Sequence, residues 1–203
     1  MIKNIVFDLG GVLVDFKPQN YLKYIGFDEE EIDRFYKIVF CGEEWYKYNS
    51  SLLDAIQTKN ELKEHYPEYA DKIEKVFNKI NYNYILFEKK EVIGLLKRLK
   101  NNGFHIYILS DLSEDHMSFY TKRDFFSCVS GGTYSFEVGS VKPNINNYLT
   151  LLNKYNLKAE ETIFIDDKLI NVEGANKLGI IGIQFTSLKK LKEDINKYLT
   201  LNI

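Results

Sequence analysis

The chain has 203 residues, and 45% of them are hydrophobic, which is enough for one core domain of about 100–150 residues with an insertion. Its 27 basic and 29 acidic residues leave a net charge of −2, so there is no electrostatic case for a nucleic-acid or membrane-surface partner. The two cysteines, Cys41 and Cys128, stand in no metal-binding spacing, and no apolar run reaches membrane-spanning length. The first residues show no signal-peptide pattern, so we expect a soluble cytoplasmic protein.

The first predicted element is a buried parallel strand over 2–7, rich in branched side chains. It ends in Asp8, and Gly10 and Gly11 follow directly. A carboxylate at the carboxyl end of a parallel strand lies at the edge where open α/β sheets bind ligands. Two glycines behind it let the backbone turn sharply and bring N–H groups near an anion.

The stretch 16–87 contains no predicted strand and has the pattern of a helical insertion with charged outer faces. Asp28 is a predicted N-cap and Gly42 the predicted closing glycine of a helix over 29–40. The other predicted helices of the insertion cover 18–24, 43–48, 50–56, 60–66 and 68–80. We therefore predict an α/β core formed by 1–15 and 88–203, with a separate all-helical cap over 16–87.

After the insertion, predicted strands and helices alternate to the end of the chain. Strands are predicted over 104–109, 127–130, 162–165 and 180–185, with a turn at Gly131 and Gly132 after the second of them. Helices are predicted over 89–102, 113–122, 144–155, 169–178 and 187–199. Alternation of this kind is typical of a Rossmann-like parallel sheet flanked by helices, with right-handed crossovers.

Polar residues follow these strands in a definite order. Asp8 follows the first strand, Ser110 and Asp111 follow the strand over 104–109, and Asp166 and Asp167 follow the strand over 162–165. Between the last two groups stands Lys142, directly ahead of a proline. The order Asp, Ser, Lys, Asp-Asp resembles the four motifs of the haloacid dehalogenase superfamily, and the resemblance runs from residue 2 to about 185. It implies a hydrolase whose helical insertion is a C1-type cap.

The resemblance implies a phosphatase that uses Mg²⁺ and acts on a small phosphorylated molecule. Asp8 would be the nucleophile that forms an aspartyl-phosphate. The metal would be held by Asp8, the backbone carbonyl of Gly10 and Asp167, with Asp166 acting through water, although an adjacent pair cannot be ordered from sequence.

The same resemblance assigns the remaining motif residues to the phosphoryl group. Lys142 would neutralise the transferring group and Ser110 would donate its hydroxyl to a phosphoryl oxygen, with the backbone N–H groups of Leu9 and Asp111 doing likewise. Asn171, one helical turn after Asp167, could orient the acidic pair.

One position departs from the family pattern. Most phosphatases of the family carry a second Asp two residues after the nucleophile as general acid, and this chain has Gly10 there. General acid–base catalysis is worth about 10²–10⁴-fold, so we expect a slow phosphatase or one restricted to good leaving groups. Asp15 and His116 are candidate substitutes for the missing acid.

Three other functions remain open at this stage. Haloacid dehalogenases also lack the acid, but they work without metal and have no need of Asp166 and Asp167. A degenerate member could bind a phosphorylated ligand without turnover. Response-regulator receivers share the acidic residues, hydroxyl and lysine, but place the acidic pair first and have no helical insertion. Oligomeric state is not readable from the sequence.

Overall fold

The computed structural model describes residues 1–50, 52–78 and 80–199, in which seven strands and eleven α-helices are found. The strands are β1 Asn4–Phe7, β2 Val14–Phe16, β3 Leu86–Glu88, β4 His105–Ser110, β5 Gly131–Tyr134, β6 Thr162–Asp166 and β7 Ile181–Gln184. The helices are α1 Pro18–Tyr24, α2 Glu29–Phe40, α3 Glu43–Asn49, α4 Ala55–His65, α5 Ala70–Phe77, α6 Lys90–Asn101, α7 Glu114–Tyr120, α8 Ser135–Val138, α9 Ile145–Lys154, α10 Leu169–Asn176 and α11 Leu188–Ile195.

Five of the strands form one parallel sheet in the order β5-β4-β1-β6-β7, which confirms the predicted α/β fold. The central strand β1 is buried along its whole length. Its side chains alternate between two cores, with Ile5 and Phe7 in the larger hydrophobic cluster and Val6 in the smaller one. Burial on both faces explains why β1 is a continuous apolar run rather than an alternating one.

Helices α1 to α5 lie between β2 and β3 and form the helical insertion. Asp28 caps α2 and Asp54 caps α4, and each makes a reciprocal capping box with the third residue of its helix. Phe35 and Leu62 are fully buried among the other apolar side chains of the insertion. Within the described ranges, no helix has the length and apolar character needed to cross a bilayer.

The prediction that 16–87 holds no strand is wrong at both ends. Val14–Phe16 and Leu86–Glu88 pair as a two-stranded antiparallel ribbon, with Asp15 opposite Phe87. These segments are too short to show a strand pattern in the sequence, because only their pairing with each other makes them strands. The ribbon contains the two chain connections between the helical insertion and the sheet.

Other predicted boundaries also change. The helices predicted over 50–56 and 60–66 are replaced by the single helix α4, while Ser51 lies outside the described residues. The helix predicted over 68–80 is a 3₁₀ turn followed by α5, and Lys79 at its end is also outside them. Gly42 directly follows Cys41, the C-cap of α2, but its φ of −81° is not the left-handed conformation of a closing glycine, and it is the N-cap of α3.

The predicted strand over 127–130 and the turn at Gly131–Gly132 are wrong. Residues 124–128 form a 3₁₀ helix, and the two glycines begin β5. The Tyr155 ring packs so closely on Gly131 that a Cβ there would meet it at 2.5 Å, and a Cβ at Gly132 would meet the Tyr134 hydroxyl at 2.6 Å. The Tyr155 hydroxyl also accepts from the Gly132 N–H at 2.8 Å. The absence of a side chain at these glycines therefore leaves space for tyrosine rings, and the glycines do not form a turn.

Candidate active site

Three neighbouring strands bring their polar end residues to one edge of the sheet. Asp8 follows β1, Ser110 ends β4 and Asp166 ends β6, and β1 lies between the other two strands. The Asp8 N–H donates to the Ile165 carbonyl at 2.9 Å, which fixes the first acid beside the acidic pair. All three side chains are buried. The predicted gathering of these residues at the carboxyl edge is therefore present.

Lys142 reaches this edge from the loop between α8 and α9. Its ammonium lies 3.0 Å from Asp8 Oδ1 and 2.7 Å from Asp166 Oδ2, and it also donates to the Leu109 carbonyl at 3.0 Å. Its backbone N–H donates to Asp111 Oδ1 at 3.0 Å. The lysine side chain is buried, so it is a fixed positive charge between two carboxylates.

Asp166 is fully buried, and both of its oxygens accept hydrogen bonds. Asn171 Nδ2 lies 3.0 Å from each oxygen, and the Lys168 N–H donates to Oδ1 at 2.8 Å. Tyr148 in turn donates its hydroxyl to the Asn171 carbonyl at 2.8 Å. With the bond from Lys142, these contacts hold Asp166 in a single orientation.

Asp8, Asp166 and Asp167 can each offer a carboxylate oxygen, and these oxygens all lie within 4.8 Å of one another. An all-oxygen set of this kind is what a hard divalent cation prefers. Asp167 is only partly buried, in contrast to Asp166. The residues present therefore fit a metal of the Mg²⁺ type.

The turn after β1 places its two glycines differently. Gly11 has φ +75°, and a Cβ there would overlap the Asp167 carboxylate, so only glycine fits. A Cβ at Gly10 would meet no atom within 4 Å, and its φ is not positive. Leu9, predicted as a donor to the phosphoryl group, donates its N–H to Asp8 Oδ1 at 2.7 Å in this structure.

Burial and the mutual charges of the site raise the pKa values of its acids and of its lysine. Burial raises the pKa of Asp8 to about 7, and the nearby charge of Asp166 adds to the rise. The Lys142 ammonium and a hydrogen bond from Ser110 act in the opposite direction and lower it. Burial also raises the pKa of Asp167 and of Asp111. Burial alone would lower the pKa of Lys142, but the surrounding carboxylates raise it well above its ordinary value. Lys142 therefore stays charged, while a second cation would stabilise the ionised forms of the carboxylates.

The two candidate substitutes for the missing acid lie in different surroundings. Asp15 is on the ribbon, with Oδ1 3.1 Å from Lys89 Nζ and Oδ2 3.4 Å from Lys17 Nζ. Burial alone would raise the pKa of Asp15, but the hydrogen bonds and charges of these lysines hold it below its usual range. A carboxyl held ionised in this way is a poor proton donor at neutral pH.

His116, the second candidate, is buried among aromatic rings from outside its own helix. The ring centroids of Tyr82 and Tyr48 lie 4.6 and 5.9 Å from its imidazole, and Ser113 Oγ lies 3.2 Å from Nδ1. Nε2 is buried without a hydrogen-bond partner. Burial lowers the pKa of His116 to about 4, so the imidazole is neutral near pH 7.

Three contacts of the site were not expected from the sequence: those of Tyr148, of the Lys168 N–H and of Lys89. Tyr148 stands in a helix with ordinary apolar spacing, which gives no sign of its bond to Asn171. The backbone bond from Lys168 follows from the turn between β6 and α10. Lys89 donates to the Gly11 carbonyl at 2.7 Å, and the two residues stand far apart in the sequence.

A parallel sheet of this order, with acids, a serine and a buried lysine at its carboxyl edge, is the arrangement expected of a hydrolase with the motif set described above. The sequence model of the haloacid dehalogenase-like hydrolases matches residues 2–179, and the chain belongs to that family. This family membership confirms the resemblance read from the motifs.

Two characterised relatives are each 24% identical to the chain. One is a sesquiterpene phosphatase of Aspergillus oryzae, matched over 91% of this chain and 90% of the relative. The other is a D-ribitol-5-phosphate phosphatase of Bacteroides thetaiotaomicron, matched over 88% and 89%.

Solved structures share the fold at lower identity. A Bacteroides thetaiotaomicron enzyme of the family, in complex with magnesium and inorganic phosphate, superposes with a TM-score of 0.69 at 21% identity, over 91% of this chain and 94% of the other. An L-2-haloacid dehalogenase from Xanthobacter autotrophicus superposes with 0.68 at 17% identity, over 97% and 83%. The fold alone therefore does not choose between phosphate-ester and carbon–halogen hydrolysis.

Proposed function

We propose that the chain is a Mg²⁺-dependent phosphatase that hydrolyses a small phosphorylated metabolite through an aspartyl-phosphate at Asp8. The observation that carries the proposal is the buried Lys142 ammonium, which lies 3.0 Å from Asp8 and 2.7 Å from Asp166. These two acids and Asp167 form a cluster whose carboxylate oxygens lie within 4.8 Å of one another. The phosphatase names of two relatives that match most of the chain support it.

The metal would be bound by Asp8, Asp167 and the carbonyl of Gly10, and when bound it neutralises charge on the phosphoryl group and the nucleophile. Four hydrogen bonds already occupy the oxygens of Asp166, from Lys142, Lys168 and twice from Asn171. Asp167 is the more accessible of the two. This difference favours Asp167 as the direct ligand and Asp166 as the residue that acts through water and orients Lys142.

The nucleophile and its neighbours would carry out the transfer as follows. A carboxylate oxygen of Asp8 attacks phosphorus, the bond to the alcohol oxygen breaks, and the phosphoryl group remains on Asp8 until water releases it. Lys142 and the Ser110 hydroxyl stabilise the charge on the phosphoryl oxygens. Two backbone N–H groups would also donate to the phosphoryl oxygens: that of Leu9, which donates to Asp8 in this structure, and that of Asp111.

At Gly10 no side chain can protonate the departing alcohol. Asp15 is held ionised by two lysines, and His116 is neutral and enclosed by rings, so neither is a ready substitute. We therefore expect turnover to depend strongly on the leaving group, with acetyl phosphate and aryl phosphates hydrolysed far faster than alkyl phosphates.

The helical insertion over 16–87 is proposed as a cap that covers the site and excludes water during transfer. Its contacts with the rest of the chain support this role. Tyr48 of α3 donates to Asp115 of α7 at 2.9 Å, and Arg123 donates to Asn83 at 2.7 Å. The alcohol part of the substrate is left open, because one relative is named as a sesquiterpene phosphatase and the other as a D-ribitol-5-phosphate phosphatase.

The test is hydrolysis of acetyl phosphate and of 4-nitrophenyl phosphate with and without Mg²⁺, by wild type, Asp8→Asn and Asp33→Asn. Asp33 is an exposed acid of α2, so its variant controls for the loss of one charge. We expect Mg²⁺-dependent turnover that only Asp8→Asn abolishes. Halide release from a 2-haloacid without metal would establish a dehalogenase instead. Stabilisation by a phosphorylated compound without any turnover would establish a binding protein, the alternative that Gly10 favours.

A further inference from the structure

The turn that follows the nucleophile is held from outside by one side chain. Residues Leu9 to Val14 form a compact turn in which the Gly11 N–H donates to the Val14 carbonyl at 2.8 Å and the Val14 N–H to the Leu9 carbonyl at 2.9 Å. Neither of these bonds uses the Gly11 carbonyl. Lys89 Nζ donates to it at 2.7 Å.

Lys89 contacts the same turn a second time through its backbone. Its N–H donates to the Leu13 carbonyl at 2.8 Å. Its ammonium also pairs with Asp15 Oδ1 at 3.1 Å and lies 5.1 Å from the centre of the Phe185 ring. Phe185 is in turn bonded through its N–H to the Asp166 carbonyl at 2.8 Å. Lys89 therefore joins the nucleophile turn, the ribbon and the end of β7.

The position of Lys89 is unfavourable for local structure. It is the N-cap of α6, where Ser, Thr, Asp or Asn would bond the free N–H groups, and its side chain makes no such bond. A cation at this end also opposes the helix dipole. A residue that contradicts its local preference is more often retained for a site than for the helix.

What Lys89 holds is in direct contact with the acids. The backbone of Gly11 packs against the Asp167 carboxylate so closely that no Cβ fits between them. Any shift of the Gly11 peptide would therefore change the spacing between the Gly10 carbonyl and Asp167. These are two of the groups that the proposed function assigns to the metal.

We propose that Lys89 is a positioning residue, which sets the nucleophile turn against Asp167 through the Gly11 carbonyl and so preforms the metal site. The inference rests on the proposed function. Partners that orient metal ligands typically affect metal affinity by about 10–100-fold. Lys89 is a quarter exposed, and its ion pair with Asp15 contributes little to folding, so the effect falls on the site rather than on stability.

The test uses three variants of the full chain. Lys89→Met keeps the apolar stem over Phe185 and removes the ammonium, and Lys89→Arg restores a donor. Lys17→Met is the matched control, because Lys17 pairs with the other oxygen of Asp15 at 3.4 Å and is more exposed. Magnesium binding is titrated without substrate, hydrogen exchange of the Leu9–Val14 amides is measured without metal, and kcat and KM are measured with acetyl phosphate.

For Lys89→Met we expect about 10–100-fold weaker Mg²⁺ binding, faster exchange of the turn amides, and a fall in kcat with KM nearly unchanged. Lys89→Arg should recover most of the binding, and Lys17→Met should match wild type throughout. Equal binding and equal exchange in Lys89→Met and wild type would overturn the inference alone. A wild-type protein that binds no Mg²⁺ would overturn the proposed function, and the exchange comparison would still decide whether Lys89 holds the turn.

Discussion

Replacing Gly10 by Asp should raise turnover of substrates with poor leaving groups. A Cβ at this position meets nothing within 4 Å and the backbone φ is not positive, so the side chain fits without strain. A positioned general acid is worth about 10²–10⁴-fold, which corresponds to about 2.7–5.4 kcal/mol of barrier. Gly10 is partly exposed, so burial would raise the pKa of a new carboxyl little, and we expect the lower end, about 10²-fold, for an alkyl phosphate.

Acetyl phosphate supplies the internal comparison, because its leaving group departs as a carboxylate and needs no proton. For this substrate we expect a change of less than about threefold. Gly10→Asn controls for size without an acid, and Gly11→Asp is the contrasting variant, because a side chain there collides with Asp167. The assay is phosphate release with saturating Mg²⁺. Equal gains for Gly10→Asp and Gly10→Asn, or no gain for the alkyl phosphate, would refute the view that a missing acid limits turnover.

Three further predictions concern the metal, its support and the buried histidine. Chelation of divalent ions should abolish phosphate release and added Mg²⁺ restore it, whereas activity that survives chelation would argue against the metal site. Asn171→Ala should lower kcat by about 10–100-fold, since Asp166 loses the amide bonded to both of its oxygens; an unchanged kcat would show that Lys142 and the Lys168 N–H suffice. Burial lowers the pKa of His116 from 6.5 to about 4, so the unfolded chain binds the proton more readily between these values, and stability should fall by up to about 3 kcal/mol as pH drops through that window. Denaturant titrations should show this fall in the free energy of unfolding with decreasing pH in wild type and not in His116→Phe. The same pH dependence in both proteins would contradict the lowered pKa of His116.

The sheet and its polar edge could be predicted because both follow from local patterns. The apolar strands ending in Asp8, Ser110 and Asp166 are read directly from the sequence, and parallel pairing then places those ends side by side. The ribbon could not be predicted in this way, since Val14–Phe16 and Leu86–Glu88 become strands only through each other. Gly131 was misread for a similar reason, because the Tyr155 ring that packs against it follows α9, far along the chain.

The contacts that support the site could not be predicted from the sequence either. The motif pattern indicates that Asp8 and Lys142 act together, but not that Asn171 holds both oxygens of Asp166. The contact between Lys89 and Gly11 joins residues from two chain connections that meet only in the folded protein. Sequence patterns indicate the reacting groups, whereas their orientation depends on packing between distant segments.

The most direct test of the central claim is the detection of phosphate on the nucleophile itself. Wild-type protein with Mg²⁺ is mixed with acetyl phosphate, quenched in acid within the first turnovers, and its mass is measured intact and after digestion. We expect a mass increase of one phosphoryl group, located on Asp8, present in wild type and in Asp33→Asn and missing in Asp8→Asn. Phosphate released at the normal rate with no modified Asp8 at any time, or a phosphoryl group on another residue, would contradict the account.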